Sequence, residues 1–151
     1  MKPFIFRLER VLQLRSKLEQ QRAQALAQAV RDEQERRAAL DEAAARLDRC
    51  GEQIAGTGSG GATTAGALRN LGLTVQAAVH QVRAAEDSLE SAVDSVQTEQ
   101  ERFGQARRER RVVERLRERR RTAWGAEAAR EEQRELDGMK PKKRNHGSEP
   151  Q

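Results

Sequence analysis

Aromatic side chains are scarce in this sequence of 151 residues, which has no tyrosine, three phenylalanines and one tryptophan. Because large aromatic residues supply much of the buried area of a globular interior, their scarcity argues against a conventional globular core. Charged residues make up 35% of the chain, and the commonest residues overall are alanine, glutamate, arginine, glutamine and leucine. This composition is typical of long helices that bury only a narrow stripe.

Residues that could carry chemistry are equally scarce. The chain has one cysteine, Cys50, and two histidines, His80 and His146. A single cysteine excludes an internal disulfide and is consistent with a reducing compartment. No histidine and cysteine cluster has the spacing of metal ligands, and the many carboxylates fall on helix faces that we expect to be solvated. The sequence therefore predicts no enzyme, no cofactor and no metal site.

Long apolar runs are also missing. No run approaches the roughly 20 residues that a membrane-spanning helix needs. Residues 1–10 lack both the long apolar region and the small-residue cleavage site of a secretory signal. We therefore expect a cytoplasmic protein with no direct membrane insertion.

Proline is absent between Phe4 and Lys140, whereas six of the eleven glycines fall between Gly51 and Gly66. Glycine costs about 1 kcal/mol per residue in a helix relative to alanine, so the glycine-rich stretch predicts a turn between two long helices. No Gly-Lys-Ser/Thr follows these glycines, which excludes a phosphate loop. The predicted all-α domain covers residues 1–137, with a helix at 4–55, a flexible turn at 56–66, a helix at 67–137, and a disordered basic tail at 138–151.

Heptad patterns in both predicted helices support a coiled-coil hairpin. Steps of four and three residues alternate along one stripe of the second helix, as in a coiled-coil seam. That stripe comprises Val75, Val79, Val82, Glu86, Leu89, Val93, Val96, Gln100 and Phe103. A seven-residue ladder in the first helix comprises Leu12, Leu26, Leu40, Leu47 and Ile54, with Glu19 and Glu33 at the two positions between the first three leucines. Two such helices joined by one turn must pack antiparallel, so that each covers the stripe of the other.

A turn centred near Gly60 predicts the register of this hairpin. Residue i of the first helix would face roughly residue 120 − i of the second, which places Leu26 beside Val93 in the middle of the buried stripe. The same register predicts a contact between Arg37 and Glu86. It also leaves about 20 residues of the second helix without a partner, which is roughly 30 Å of helix.

Arginine is concentrated near the end of the second helix. Residues 107–125 contain nine arginines and three glutamates, a net charge of +6, whereas residues 126–137 carry a net charge of −3. Two interpretations of the arginine segment stay open. It is a solvated face with glutamate partners four residues away, or it binds nucleic-acid phosphates without specific readout, because no aromatic residues interleave to stack on bases.

Trp124 follows the arginine segment on the part of the helix that is predicted to lack a partner. An exposed tryptophan beside arginine is typical of an interface hot spot. The alternative is that Trp124 folds back on its own helix.

The two ends of the chain carry sequence motifs that can be compared with known families. The N-terminal motif is Phe6-Arg7-Leu8-x-x-Val11-Leu12-x-x-Arg15-x-x-x-Glu19. The C-terminal motif is Glu114-Arg-Leu-Arg-Glu-Arg-Arg120, followed by Arg130-Glu-Glu-Gln-Arg-Glu-Leu-Asp137. Together these motifs resemble the flagellar export protein FliJ family, and the resemblance implies an antiparallel two-helix coiled coil similar to the central stalk subunit of rotary ATPases. The injectisome counterpart of the family shows nearly the same pattern.

The resemblance also implies a role and partners. Family members are noncatalytic components of the type III export apparatus, at the cytoplasmic face of the inner membrane. The implied partners are the hexameric export ATPase, the export-gate membrane protein and the export chaperones. Two other functions stay open: a basic coiled coil that binds nucleic acid, and a plain dimeric scaffold.

We predict two sets of partner-binding residues from the residues and the resemblance together. The set for the export ATPase lies where both ends of the hairpin meet and comprises Phe4, Leu8, Val11, Leu12, Arg115, Leu116, Arg117, Arg120, Arg121 and Trp124. A weaker set near the turn comprises Leu47, Leu73 and His80.

Overall fold

A computed structural model describes residues 3–57 and 64–139 and contains two long α-helices over these ranges. Helix α1 spans Glu9–Thr57 and helix α2 spans Ala65–Met139, which is 49 and 75 residues. The two helices pack antiparallel along the length of α1, so the predicted all-α hairpin is confirmed. Most of the predicted turn, at 58–63, and the predicted tail from residue 140 onward lie outside the described residues.

The first helix begins later than predicted. It starts at Glu9 rather than near Phe4, and residues 3–6 have no regular secondary structure. The backbone N–H of Glu9 donates to the carbonyl of Phe6 at 3.0 Å, which closes a turn ahead of the helix. Phe6 is only 6% exposed. Burial of this aromatic side chain therefore accompanies the departure of the N-terminal segment from the helix axis.

The second helix has a side-chain cap at its N-terminus. The hydroxyl oxygen of Thr64 accepts a hydrogen bond from the backbone N–H of Ala67 at 3.3 Å. This bond satisfies one of the N–H groups that the first turn of a helix leaves without an intrahelical partner. The cap explains why α2 starts at Ala65, two residues before the predicted start.

Alanine lines much of the interface between the helices. The buried apolar side chains in the described part of the chain are Phe6, Leu12, Ala29, Ala43, Ala78 and Ala106. Interaxial distance depends on the side chains at the contact, so small residues at the seam allow the two backbones to approach closely. The seam therefore requires small side chains at these positions.

The seam of α2 consists of two rows of residues, each with seven-residue spacing, and one of these rows differs from the prediction. The row of large residues from Val75 to Phe103 at seven-residue intervals is half-buried, as predicted. The prediction that Val93 lies at the centre of the buried stripe is wrong, because its side chain is 42% exposed. The companion row lies one residue earlier and contains Ala78, Ala85, Ala92, Glu99 and Ala106, all buried or half-buried. Alanine fits this row because the two helix backbones approach each other closely there. A search of the sequence for the most hydrophobic stripe selects the larger valines instead.

Four ion pairs across the interface define the register. They are Glu9–Arg117, Arg15–Glu109, Glu19–Arg110 and Arg22–Glu99. In each pair the two residue numbers add up to a value between 121 and 129, with a mean of about 125, so residue i of α1 faces roughly residue 125 − i of α2. The predicted value of about 120 is therefore wrong by roughly five residues. Because the glycine-rich stretch locates the turn only approximately, the ion pairs and the alanine row decide the register.

The predicted contact between Arg37 and Glu86 is also wrong. Nη2 of Arg37 donates instead to Oε1 of Glu33, one turn away on the same helix, at 2.9 Å. The Arg37 side chain is 63% exposed, and Glu86 is exposed as well. A glutamate four residues before an arginine is a local partner that needs no ordering of the other helix.

At a register of about 125, the seam pairs large side chains with small ones. Leu40 then lies opposite Ala85, and Leu47 lies opposite Ala78. This alternation keeps the distance between the helices nearly constant, because each layer contains one large and one small residue.

Enlarging a buried alanine should separate the helices. We expect Ala106→Leu to destabilise the hairpin by about 1–3 kcal/mol, because the side chain at 106 is 4% exposed and has no room to expand. Urea unfolding followed by helical circular dichroism measures the change. The control is Val93→Leu, which adds one methylene at a half-exposed site and should change stability by less than about 0.5 kcal/mol. Equal effects of the two substitutions would contradict the alanine seam.

Candidate partner-binding site at the terminal end

The end of the hairpin opposite the turn brings together the first and last parts of the described chain. We call it the terminal end, meaning residues 3–22 packed against residues 99–124. Beyond Trp124, residues 125–139 of α2 continue with no segment of α1 beside them, and we call them the overhang. The overhang is about 22 Å long at about 1.5 Å per residue. Counted from Arg117, which pairs with Glu9 at the start of α1, the part of α2 without α1 beside it is about 33 Å long, close to the predicted 30 Å.

Trp124 has a partner, which corrects the expectation that nothing covers it. The rings of Phe4 and Trp124 lie with their centroids 6.0 Å apart and their planes inclined by 53°. This tilted arrangement is one that aromatic pairs prefer. Trp124 is still 39% exposed. The irregular N-terminal segment therefore reaches beyond the start of α1 and covers part of Trp124.

Charged residues occupy the seam itself at the terminal end. The Arg110 guanidinium donates to both Glu19 and Glu114, with 2.7 Å between its Nη1 and Oε2 of Glu114. The hydrogen bond that Arg110 donates to Glu19 raises the pKa of Arg110 above its ordinary value, and burial opposes this only in part. A cation with a raised pKa contributes its full stabilisation below its ordinary pKa and loses it as the pH rises through the raised pKa, so the charge state of Arg110 does not change through the neutral range.

Glu99 occupies the least well satisfied position of this polar seam. Its Oε1 accepts a hydrogen bond from Arg102 at 2.6 Å. Its Oε2 is buried and has no hydrogen-bond partner among the described residues, and Nη1 of Arg22 lies 4.0 Å from it. An oxygen in this position carries a desolvation cost without a compensating hydrogen bond.

The arginines between residues 115 and 121 are exposed, and only one of them has a partner among the described residues. Arg117 makes an exposed ion pair with Glu9 at 3.4 Å. By contrast, Arg115, Arg119, Arg120 and Arg121 are exposed and make no hydrogen bond or ion pair within residues 3–57 and 64–139. The interpretation of this segment as arginines neutralised by local glutamates therefore applies to Arg110 but not to these four residues.

The structure brings the residues predicted for the ATPase to the terminal end, but their accessibility differs. Leu12 is buried in the seam, and Leu8 and Leu116 are half-buried. Val11 is 38% exposed. The exposed members of the set that could meet a partner are therefore Val11, Arg115, Arg117, Arg120, Arg121 and Trp124.

The weaker set near the turn does not form one surface. Leu47 is half-buried in the seam, whereas Leu73 and His80 are exposed. Leu73 and His80 are seven residues apart and so share the outer face of α2, away from Leu47.

Sequence reasoning missed the ion pairs that cross the terminal end. Glu9, Arg15 and Glu19 lie in or beside the seam and find their partners on α2. A signal was present, because the charge alternates in sign along this stretch of α1 and Glu109 and Arg110 offer opposite charges on α2. The signal could be used only with the correct register.

The described residues offer surfaces for binding rather than a centre for chemistry. Within residues 3–57 and 64–139, no group of three or more histidine, cysteine, aspartate or glutamate side chains could hold a metal ion. Neither helix, over its described length, is apolar enough along any stretch to span a membrane. The fold and its surfaces define an antiparallel coiled-coil hairpin with a charged terminal end.

Comparison with protein families identifies the group to which this coiled coil belongs. Residues 4–140 match the family model described as flagellar FliJ protein. Because the match covers most of the chain, the chain belongs to the FliJ family and is a component of the flagellar protein export apparatus. Comparison with curated proteins and with solved structures gives no significant match.

The ion pair between Glu19 and Arg110 should contribute measurably to stability. We expect a double-mutant cycle with Glu19→Gln and Arg110→Gln to give a coupling energy of about 1 kcal/mol, because both side chains are largely removed from solvent. The control cycle uses Arg37→Gln and Glu86→Gln, which should show no coupling. Urea unfolding measures both cycles. Coupling in the control cycle, and none between Glu19 and Arg110, would contradict the register seen in the structure and favour the one predicted from the sequence.

The contact between Phe4 and Trp124 should be visible in fluorescence. Trp124 is the only tryptophan in the chain, so emission reports on this site alone. We expect Phe4→Ala to shift the emission to longer wavelength and to increase quenching by acrylamide. The matched control is Ile5→Ala, since Ile5 is 78% exposed and should leave the emission unchanged. Identical spectra for Phe4→Ala and the unmodified protein would exclude the contact in solution.

Proposed function

We propose that this protein is a noncatalytic stalk that binds the hexameric export ATPase through its terminal end. In this role it couples the ATPase ring to the export gate and to export chaperones, and so supports assembly of the flagellum. The protein would act in the cytoplasm, held at the cytoplasmic face of the inner membrane by its partners.

The observation that carries this proposal is the cluster of unpaired arginines just before the overhang. Arg119, Arg120 and Arg121 are exposed, and no carboxylate of the described residues neutralises them. Unpaired cations on a rigid helix attract an acidic or polar partner over a distance and orient it during association. The nearby Phe4 and Trp124 pair adds a partly exposed aromatic surface, which is the type of contact that dominates interface energies.

The length and stiffness of the hairpin support a role as a stalk. Helix α2 has 75 residues and is about 112 Å long. The antiparallel contact with α1 stiffens it over most of this length, while the overhang projects beyond. A partner at the terminal end and another near the turn would therefore be held apart by a rod, and contacts with the export gate or with chaperones could use the remaining faces.

Reversing the charge of the unpaired arginines should weaken binding to the export ATPase. We expect the double substitution Arg120→Glu and Arg121→Glu to lower the affinity by at least about tenfold at low salt, mainly through slower association. Arg117 is left unchanged because its ion pair with Glu9 contributes to the hairpin. Binding to the purified ATPase ring and stimulation of ATP hydrolysis measure the effect.

The matched control is Arg69→Glu together with Arg83→Glu, two exposed arginines of the same helix near the turn. This variant has the same change in net charge and should bind as well as the unmodified protein. Loss of binding in the control alone would place the ATPase at the turn end and refute the proposal.

Nucleic-acid binding is tested with the same two variants. The arginines could contact phosphates, and such binding would fall steeply with salt and would not depend on base sequence. If Arg120→Glu and Arg121→Glu abolish binding to a random DNA duplex at physiological salt but leave ATPase binding intact, the stalk proposal is wrong.

A further inference from the structure

One side of the terminal end carries exposed aliphatic side chains that the coiled-coil seam does not use. Leu14 is 67% exposed and Val112 is 66% exposed. Neither residue belongs to the interface between the helices. Large aliphatic side chains in such positions are informative when they form a continuous surface.

The groove between the helices shows that these side chains share one side of the hairpin. Leu18 lines a groove of about 270 Å³ together with Gln105 and Glu109. Residues seven positions apart occupy the same side of a coiled-coil helix. Seven residues further from the turn on each helix, the positions equivalent to Leu18, Gln105 and Glu109 are occupied by Val11, Val112 and Leu116, respectively.

These aliphatic residues form a single surface. Leu14 lies one turn from both Val11 and Leu18, so it joins them on the α1 side of the groove. We call the whole set the lateral patch: it comprises Val11, Leu14, Leu18, Val112 and Leu116.

The side chains that line this side of the hairpin are of a different type closer to the turn. The next groove on the same side is lined by Ala29, Asp32, Arg36, Ser88, Ser91, Ala92 and Ser95. Small and polar side chains replace the large aliphatic ones there. The aliphatic surface is therefore confined to the terminal end.

Unpaired cations border the lateral patch on both helices. Arg10 and Lys17 lie one turn on either side of Leu14, and Arg108 and Arg115 lie one turn on either side of Val112. All four are exposed, and none makes a hydrogen bond or ion pair with the described residues. The arrangement is an aliphatic strip between two rows of uncompensated positive charge.

We propose that the lateral patch is the docking surface for an acidic amphipathic helix of a partner protein. The aliphatic face of that helix would lie in the groove between α1 and α2 and form a third helix of a local bundle. Acidic residues on its two flanks would meet the cations of α1 and of α2. Docking of an amphipathic helix into an apolar groove is a common mode of peptide recognition. Charge complementarity with the bordering cations favours a helix whose flanks are negatively charged.

Charge argues against the other occupants of this surface. Residues 138–151 of this chain have a net charge of +3 and would be repelled by the bordering cations. A second copy packed through the same surface would bring two sets of those cations together. The overhang of a second copy is acidic but has Leu136 as its only large aliphatic side chain within residues 125–138, which is too little to cover five.

This inference goes beyond the proposed function, because it concerns one lateral surface of the terminal end and a class of ligand. The surface shares Val11, Leu116 and the bordering Arg115 with the residues proposed for the ATPase. Its test uses Leu14 and Val112, which are outside the residues proposed to bind the ATPase. Failure of one proposal therefore leaves the other open to its own measurement.

The test uses two fluorescent synthetic peptides of about 18 residues, roughly five helical turns. Both carry the same leucine stripe, one with glutamate flanks and the other with lysine flanks. Fluorescence anisotropy with the full-length protein measures binding. We expect the glutamate peptide to bind at least about tenfold more tightly than the lysine peptide. Equal binding of the two peptides would overturn the proposal.

Variants locate the binding surface. We expect Leu14→Gln with Val112→Gln to weaken binding of the glutamate peptide by at least about tenfold, since both side chains lose their apolar contact. Because both residues are exposed, helicity should not change. The matched control, Leu68→Gln with Leu73→Gln, alters two exposed leucines near the turn and should bind normally. Loss of binding in the control, or normal binding of the patch variant, would overturn the proposal.

A second variant tests the charge without altering the aliphatic strip. We expect Arg10→Glu with Arg108→Glu to weaken binding of the glutamate peptide and to strengthen binding of the lysine peptide. No exchange of preference would overturn the proposal. Binding to vesicles of anionic phospholipid that depends on Leu14 and Val112, with no binding of the glutamate peptide, would instead identify a lipid surface. Self-association lost in the Leu14 and Val112 variant would identify a second copy.

Discussion

The close approach of two helix backbones at a seam of alanines is the constraint on which the rest of this structure depends. Ala29, Ala43, Ala78 and Ala106 are buried, while the valines next to this row are only partly covered. A two-helix hairpin has no third element to cover a wide apolar face, so it can bury only a narrow stripe. Small residues make that stripe effective, because they let the large residues of the facing row reach the opposite backbone.

The charges of the terminal end are divided according to this seam. Arg110 and Arg15 lie at the interface and are paired with glutamates of the other helix or of their own. Four arginines of the outer faces have no such partner among the described residues: Arg115, Arg119, Arg120 and Arg121. Paired charges set the register at a modest gain in stability, whereas unpaired charges are available to other molecules. The arginines that hold the hairpin together are therefore distinct from the unpaired cluster that we propose for partner binding.

The N-terminal segment extends the role of the hairpin beyond the coiled coil. Phe6 is buried although it precedes α1, and Phe4 lies against Trp124 at the base of the overhang. This segment replaces the missing partner helix over about two turns of α2. The terminal end is consequently a compact platform formed by three chain segments, and a FliJ-family protein that binds partners there has more than one face to offer.

The sequence by itself determined the hairpin, its two long helices and its family. Helix-forming composition, the absence of proline between Phe4 and Lys140, and the seven-residue periodicity are local properties that a chain displays before it folds. The motifs at the two ends were sufficient to suggest the FliJ family. The tertiary structure alone decided the register, the alanine row in place of Val93, and the pairing of Trp124 with Phe4. These features depend on how closely two distant helices approach, and periodicity along one helix carries no information about that distance.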